Sequence, residues 1–190
     1  MESLFISTGI VALAEIGDKT QLLAFILAAR FKKPAPIVLG ILCATIVNHS
    51  LAGALGAWIT SVITPDFLRW ILGASFIGMA LWTLIPDKIE EEETQIANHL
   101  GVFGATLITF FMAEMGDKTQ LATVALAAHY SSAVLVVIGT TLGMLIADVP
   151  AVFIGNKFAS KIPLKLVHSI AAGLFLIMGL FTLLKIDSLF

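Results

Sequence analysis

A nine-residue segment of this 190-residue chain recurs with one change, and that repetition restricts its architecture more than any other feature. Ala14-Glu15-Ile16-Gly17-Asp18-Lys19-Thr20-Gln21-Leu22 returns 99 residues later as Ala113-Glu114-Met115-Gly116-Asp117-Lys118-Thr119-Gln120-Leu121, differing only where Ile16 becomes Met115. The same offset aligns Leu27, Ala28 and Ala29 with Leu126, Ala127 and Ala128, and Gly40 and Gly56 with Gly139 and Gly155. Self-similarity at a fixed offset marks a duplicated structural unit. The fold must be one that half the chain can adopt twice.

Each half contains long apolar runs. A hydrocarbon core about 30 Å thick needs roughly 20 apolar residues per helix, and charged or proline-containing breaks leave six such runs. They extend from Leu4 to Ala29, Ile37 to Ile63, Phe67 to Ile85, Leu100 to Ala128, Ala133 to Ile154, and Leu164 to Leu184. Hydrophobic residues make up 58% of the chain and charged ones 13%, against roughly 45–50% and about 25% in soluble domains. Too little polar surface remains for a soluble enzyme. Eleven basic against thirteen acidic residues, for a net charge of -2, leave no footprint for a nucleic acid. The single cysteine, Cys43, makes no intrachain disulfide and leaves the redox compartment open. The expected fold is an all-α membrane protein of six transmembrane helices. Residues 1–86 form one three-helix repeat, 87–99 an acidic linker, and 100–190 the second repeat. Three is odd, so the second repeat enters the membrane from the opposite side, an inverted-topology pair.

Arg30, Lys32, Lys33, Lys88, Lys157, Lys161 and Lys165 fall in or beside the first, third and fifth loops, which the positive-inside rule places in the cytoplasm. The central linker, with Glu90, Glu91, Glu92 and Glu93, is then cytoplasmic, and both termini are periplasmic or exterior. That acidic run reads as a solvated linker or as a collector of cations. Trp58, Trp70 and Trp82 near span ends fit interfacial aromatics. The first run starts with Glu2 rather than a basic segment and has no signal-peptidase site, so it reads as a retained helix. An Arg-rich, acid-poor targeting extension is also missing, and a bacterial plasma membrane is the expected location.

Both repeated motifs put ionisable residues inside a span, where each costs at least about 2.5–3.5 kcal/mol. Positions three apart share a helix face, so Glu15 with Asp18, and Glu114 with Asp117, are candidates to line one site. Inverted symmetry brings both faces together near the midplane. Four carboxylates, with neutral oxygens from Thr20, Gln21, Thr119 and Gln120 as supporting ligands or a proton relay, suit a hard or borderline divalent cation such as Mn2+, Ca2+ or Mg2+. Soft ligands are scarce: Cys43 is alone, and Met115 lies about 100° round the helix from Glu114. The four acids and two lysines sum to -2, the charge one divalent cation neutralises, and an emptied site of crowded carboxylates takes up protons instead. Lys19 and Lys118 balance charge, or form i,i+4 ion pairs with Glu15 and Glu114 that merely pin helices. Gly17 and Gly116 weaken the helix between the acids, as in discontinuous transporter helices.

Further candidates lie in the second and fifth spans. Asn48 and His49 sit mid-span, and the offset aligns His49 with Asp148. Asp148, followed by Pro150, suits a gate or proton relay; His49 suits proton transfer or simple packing. Ser50 lacks a nucleophile-elbow context, and no enzymatic activity is expected. The pairs Gly53/Gly56, Gly101/Gly104 and Gly139/Gly143 read as close helix contacts.

Glu15-Ile16-Gly17-Asp18-Lys19-Thr20 and Glu114-Met115-Gly116-Asp117-Lys118-Thr119 resemble the paired E-x-G-D-[KR]-[TS] signature of uncharacterised protein family sixteen. That family includes the Golgi manganese/calcium transporters and the bacterial MneA-type manganese exporters. The resemblance covers the whole chain and both motifs match without departure. It implies cation/proton exchange with the metal held by Glu15, Asp18, Glu114 and Asp117. The N-terminal signal and long linker of eukaryotic Golgi members are missing, which favours a bacterial exporter and Mn2+ over Ca2+. The resulting expectation is a Mn2+/H+ antiporter working by alternating access at a midplane site. Its partners are the cation, protons and lipid, it has no permanently bound cofactor, and homo-oligomerisation is left open. A Ca2+/H+ exchanger and a proton-coupled exporter of a small organic solute are the alternatives.

Overall fold

A computed structural model describes residues 1–85, 100–154 and 164–184. The whole acidic linker 87–99, with Lys88 and Glu90 to Glu93, and Gly155, Lys157, Lys161 and Lys185 lie outside them. The described residues form eight helices: α1 Glu2–Glu15, α2 Lys19–Phe31, α3 Pro34–Val62, α4 Pro65–Thr83, α5 Gly101–Glu114, α6 Lys118–His129, α7 Ala133–Ile154 and α8 Leu164–Leu184. Prolines open α3 and α4, where a missing N–H costs nothing and the fixed φ favours the first turn. Lys32 closes α2 in the left-handed conformation, at φ 53°. Helix boundaries follow the apolar runs closely, except that the first and fourth runs are each split in two at the repeated motif.

α3 and the segment Ala133–Phe153 of α7 are each long and apolar enough to cross a membrane. Their surface agrees with that environment. On α3, Leu39, Ile46, Leu51, Leu55, Trp58 and Val62 are exposed, whereas Thr45, Asn48 and His49 are fully buried. A water-facing helix would show the reverse arrangement.

The two copies interlock rather than forming separate bundles. α7 lies along α1 and α2 of the first copy, α3 lies along α5 and α6 of the second, and α4 packs on α8. Close approach depends on glycine. A Cβ on Gly139 would stand 2.5 Å from the Leu4 carbonyl oxygen, and one on Gly143 would stand 2.7 Å from that of Thr8. Gly53 meets Val137, and Gly56 meets the Val124 carbonyl, with the same intimacy. The expected Gly101/Gly104 contact is not of this kind. Gly101 adopts φ +67° with nothing within 4 Å of its would-be Cβ, and the one neighbour of Gly104 is Leu100 in the adjacent turn. Gly101 supplies a backbone conformation at a helix start, not a groove. Gly73 against Leu183 and the Gly179 carbonyl is a further glycine contact, between α4 and α8.

These contacts also set helix directions. Gly139 against Leu4 and Gly143 against Thr8 make α7 parallel to α1. Gly40 against Thr106, Asn48 against Phe111 and Gly56 against Ala127 make α3 parallel to α5 and α6. Tyr130, just beyond α6, is pushed up to about 12 by burial and then by the Glu2 carboxylate, so the end of α6 and the start of α1 share one end of the molecule.

Candidate cation site

The motif glycines create the site. Gly17 and Gly116 take φ +86° and +76°, a region open to glycine at no steric cost. α1 and α5 stop at Glu15 and Glu114, and α2 and α6 restart at Lys19 and Lys118 with Asp18 and Asp117 as their N-cap residues. The shared helix face expected for residues three apart therefore does not exist, because no helix runs through them. Each glutamate instead terminates one half-helix and each aspartate begins the next. Helix C-termini carry a partial negative charge, so two half-helices ending on glutamates form a place that attracts cations.

The breaks are braced in the same way in both copies. The Gly17 N–H donates to Gln21 Oε1 at 2.9 Å, and the Gly116 N–H to Gln120 Oε1 at 2.7 Å. Gln21 Nε2 then donates to the Ala147 carbonyl at 2.9 Å, while Gln120 Nε2 reaches Asn48 Oδ1 at 3.4 Å. Ala147 and Asn48 occupy equivalent positions in the two copies, so the sequence differs but the contact persists. Asn48 Nδ2 in turn donates to the Phe111 carbonyl at 3.1 Å. Both glutamines are thus placed as supports for the backbone breaks.

The two motifs meet antiparallel. Lys118 Nζ lies 3.0 Å from Asp18 Oδ1, both fully buried, and Lys19 Nζ lies 3.9 Å from Asp117 Oδ1. Each lysine reaches the aspartate of the other copy, a crosswise pairing that spacing along one helix could not show. Three carboxylates converge between them. Glu15, Glu114 and Asp117 each offer an oxygen, all within 4.8 Å of one another. Thr20 Oγ1 donates to Glu15 Oε2 at 2.6 Å, and Thr119 Oγ1 donates to Glu114 Oε2 at 3.1 Å. The remaining oxygen of each glutamate, Oε1, is buried with no hydrogen-bond partner among the described residues. Buried acceptors without partners are expensive, and a cation or a proton would satisfy both. Asp18, the fourth expected acid, is held by Lys118 beside this cluster.

Asp148 on α7 is fully buried, and neither carboxylate oxygen has a hydrogen-bond partner among the described residues. It is close enough to Glu15 and Glu114 to interact with them electrostatically. His49 is buried as completely, with both ring nitrogens likewise without partners. Ser50, the next residue on α3, is exposed while His49 is buried, so these residues do not assemble a nucleophile. Sequence reasoning missed one contact at the break itself: His168 Nε2 on α8 lies 2.8 Å from the Ile16 carbonyl oxygen.

Half-helices that end on buried acids, in two copies crossing at one point, define an ion-coupled membrane transporter. The chain belongs to the divalent cation/proton antiporter GDT1 family, whose model matches residues 3–91 and 102–188. It is 53% identical to a protein of Vibrio cholerae serotype O1 named "Putative manganese exporter", over 96% of this chain and 90% of that protein. GDT1-like protein 3 of Oryza sativa subsp. indica is 31% identical over 92% of this chain and 71% of its own length. GDT1-like protein 5 of Arabidopsis thaliana is 30% identical, over 94% and 93%. No solved structure matches the chain.

Proposed function

We propose that the protein exports Mn2+ across a bacterial plasma membrane in exchange for protons, by alternating access to a site built from Glu15, Asp18, Glu114 and Asp117. The chain crosses the membrane six times in this reading. α1 with α2, and α5 with α6, are broken spans of opposite direction, and the acidic linker is cytoplasmic. The observation that carries the proposal is the convergence of Glu15, Glu114 and Asp117 within 4.8 Å where two broken helices cross. Manganese is favoured over Ca2+ by the name of the Vibrio cholerae relative.

Charge explains the exchange. Asp18 and Asp117 are matched by Lys118 and Lys19, which leaves Glu15 and Glu114 as the acids that one divalent cation or two protons would neutralise. Occupancy by either relieves the same repulsion, and occupancy by both adds excess positive charge, so the two compete. The proton gradient then drives efflux: protons entering from outside displace the cation there, and their release inside readies the glutamates for the next. In this reading Asp148, buried near both glutamates, relays those protons, and Thr20 and Thr119 orient the glutamates.

Proteoliposomes loaded with a pH-sensitive dye test this directly. Mn2+ added to the protein is expected to move protons, with smaller responses to Ca2+ and Mg2+, and Asp117→Asn is expected to abolish both fluxes. A larger Ca2+ response would make the protein a Ca2+/H+ exchanger. Well-inserted protein that moves no cation would leave the acids serving another solute, and the proposal would fall.

A further inference from the structure

The two copies are alike in sequence but not in how the third helix of each is used. α8 rests on α1, with Leu174, Ile177 and Met178 facing Ile6, Ile10 and Leu13 across a shallow groove. α4 rests on α6, with Leu72, Ser75 and Met79 beside Leu121, Val124 and Ala125. The equivalent contacts, α4 on α5 and α8 on α2, are next to absent among the described residues. α1 and α6 are the half-helices at the end shared by Glu2 and Tyr130. The α4/α8 pair therefore packs over the half-helices of one end of the molecule and, among the described residues, hardly touches α2 and α5 at the other.

Polar side chains mark the same asymmetry at the breaks. His168 donates from Nε2 to the Ile16 carbonyl, the C-cap residue of α1; a carbonyl only accepts, so that nitrogen carries the proton. The position equivalent to His168 in the first copy is Arg69, and the carbonyl equivalent to that of Ile16 belongs to Met115. Met115 is 54% exposed, and among the described residues no side chain donates to its carbonyl. Arg69 lies instead near the start of α4, beside Asp66, His129 and Thr182 and over the Trp70 ring, with its Nε buried and without a hydrogen-bond partner among the described residues.

We infer that His168 and Arg69 are positioning residues that take turns: His168 holds the Ile16 carbonyl while the site is sealed on the α1/α6 side, and Arg69 holds the Met115 carbonyl once α4 has moved onto α5 and α8 onto α2. Both are donors, so each can satisfy the carbonyl exposed by the break in its own state, and neither touches the cation. The end covered by the α4/α8 pair is the exterior if the basic first loop is cytoplasmic, and the acids of the site are buried in the conformation described. This inference rests on the alternating-access reading proposed above.

Two thiol pairs in a Cys43→Ser background, bridged by a short bifunctional reagent in membrane vesicles, read the two arrangements. Leu13→Cys with Leu174→Cys spans the present α1–α8 groove; Met112→Cys with Ser75→Cys occupies the equivalent positions on α5 and α4. His168→Ala is expected to shift crosslinking from the first pair to the second by about fivefold, the effect of one lost hydrogen bond. Arg69→Ala should shift it the opposite way, and His168→Gln, which retains an N–H donor, should restore the starting ratio. If His168→Ala does not fold, Arg69→Ala and His168→Gln still give the ratio. Variants that shift both pairs in the same direction, or a second pair that never bridges with Mn2+, without it or at any pH, would overturn the inference. Cation flux in wild-type protein separates the two proposals. Flux with an invariant crosslink ratio defeats the exchange of contacts, whereas exchange without flux defeats the transport reading and leaves the motion standing.

Discussion

At the scale of single residues, identical motifs acquire different energetics. Lys118 and Asp18 form a pair at 3.0 Å with both side chains buried, while Lys19 stands 3.9 Å from Asp117 and is 19% exposed. Removing one member of a buried pair strands the other, at a cost of about 3–5 kcal/mol, whereas loose, partly exposed pairs contribute about 1 kcal/mol or less. Lys118→Gln is therefore expected to lower the melting temperature in detergent markedly and Lys19→Gln only slightly. Equal losses would mean that the crosswise pairs are equivalent. Thr20 and Thr119 offer a gentler probe, since each donates to a glutamate without carrying charge. Thr20→Val and Thr119→Val should keep the fold and weaken cation affinity about 10–100-fold, the usual effect of losing a group that orients a ligand; isothermal titration of the purified variants measures it. What the sequence made legible at this scale is that the motif acids lie buried together, Glu15, Glu114 and Asp117 within 4.8 Å, because ionisable groups inside apolar runs need partners. Which lysine meets which aspartate was not legible. Spacing along one helix suggested Glu15 with Lys19, and only the meeting of the two copies supplies Asp117.

At the scale of helices, the apolar runs gave boundaries to within a few residues because proline and charged residues, at Pro34 and Pro65 for example, end one helix and begin the next. The interruption was legible from Gly17 and Gly116, but it also undoes the shared face expected for residues three apart, because a break abolishes the helical periodicity. Glycine contacts were half legible, since spacing alone does not separate Gly53/Gly56, which meet another helix, from Gly101/Gly104, which meet none. The difference is measurable. Gly56→Leu forces a side chain against the Val124 carbonyl and Ala127, and overpacking of this kind costs about 1–3 kcal/mol. Gly78→Ala and Gly173→Ala meet nothing within 4 Å and should be neutral or stabilising by up to about 1 kcal/mol through helix propensity. Thermal scans of the three variants would expose an error if Gly56→Leu melted with the wild type.

At the scale of the whole molecule, the proposed orientation places Lys33 in the cytoplasm and Ser131 outside. In the Cys43→Ser background, an impermeant maleimide added to intact cells should label Ser131→Cys and spare Lys33→Cys until the membrane is opened; the opposite pattern would invert the topology. The asymmetric placement of the α4/α8 pair could not be read from a chain whose two halves carry the same signature, because a repeat specifies what is shared between copies and not which copy is engaged at one moment. The crosswise ion pairs carry a further implication. A gene half this length would encode lysines and aspartates whose partners belong to another molecule, and they could be matched only by a second copy whose motif meets the first antiparallel. Joining the halves turns that encounter between separate chains into one within a single chain, where the partner's effective concentration no longer depends on expression. It also frees the two halves to diverge, as Asn48 and Ala147, or His168 and Arg69, have done.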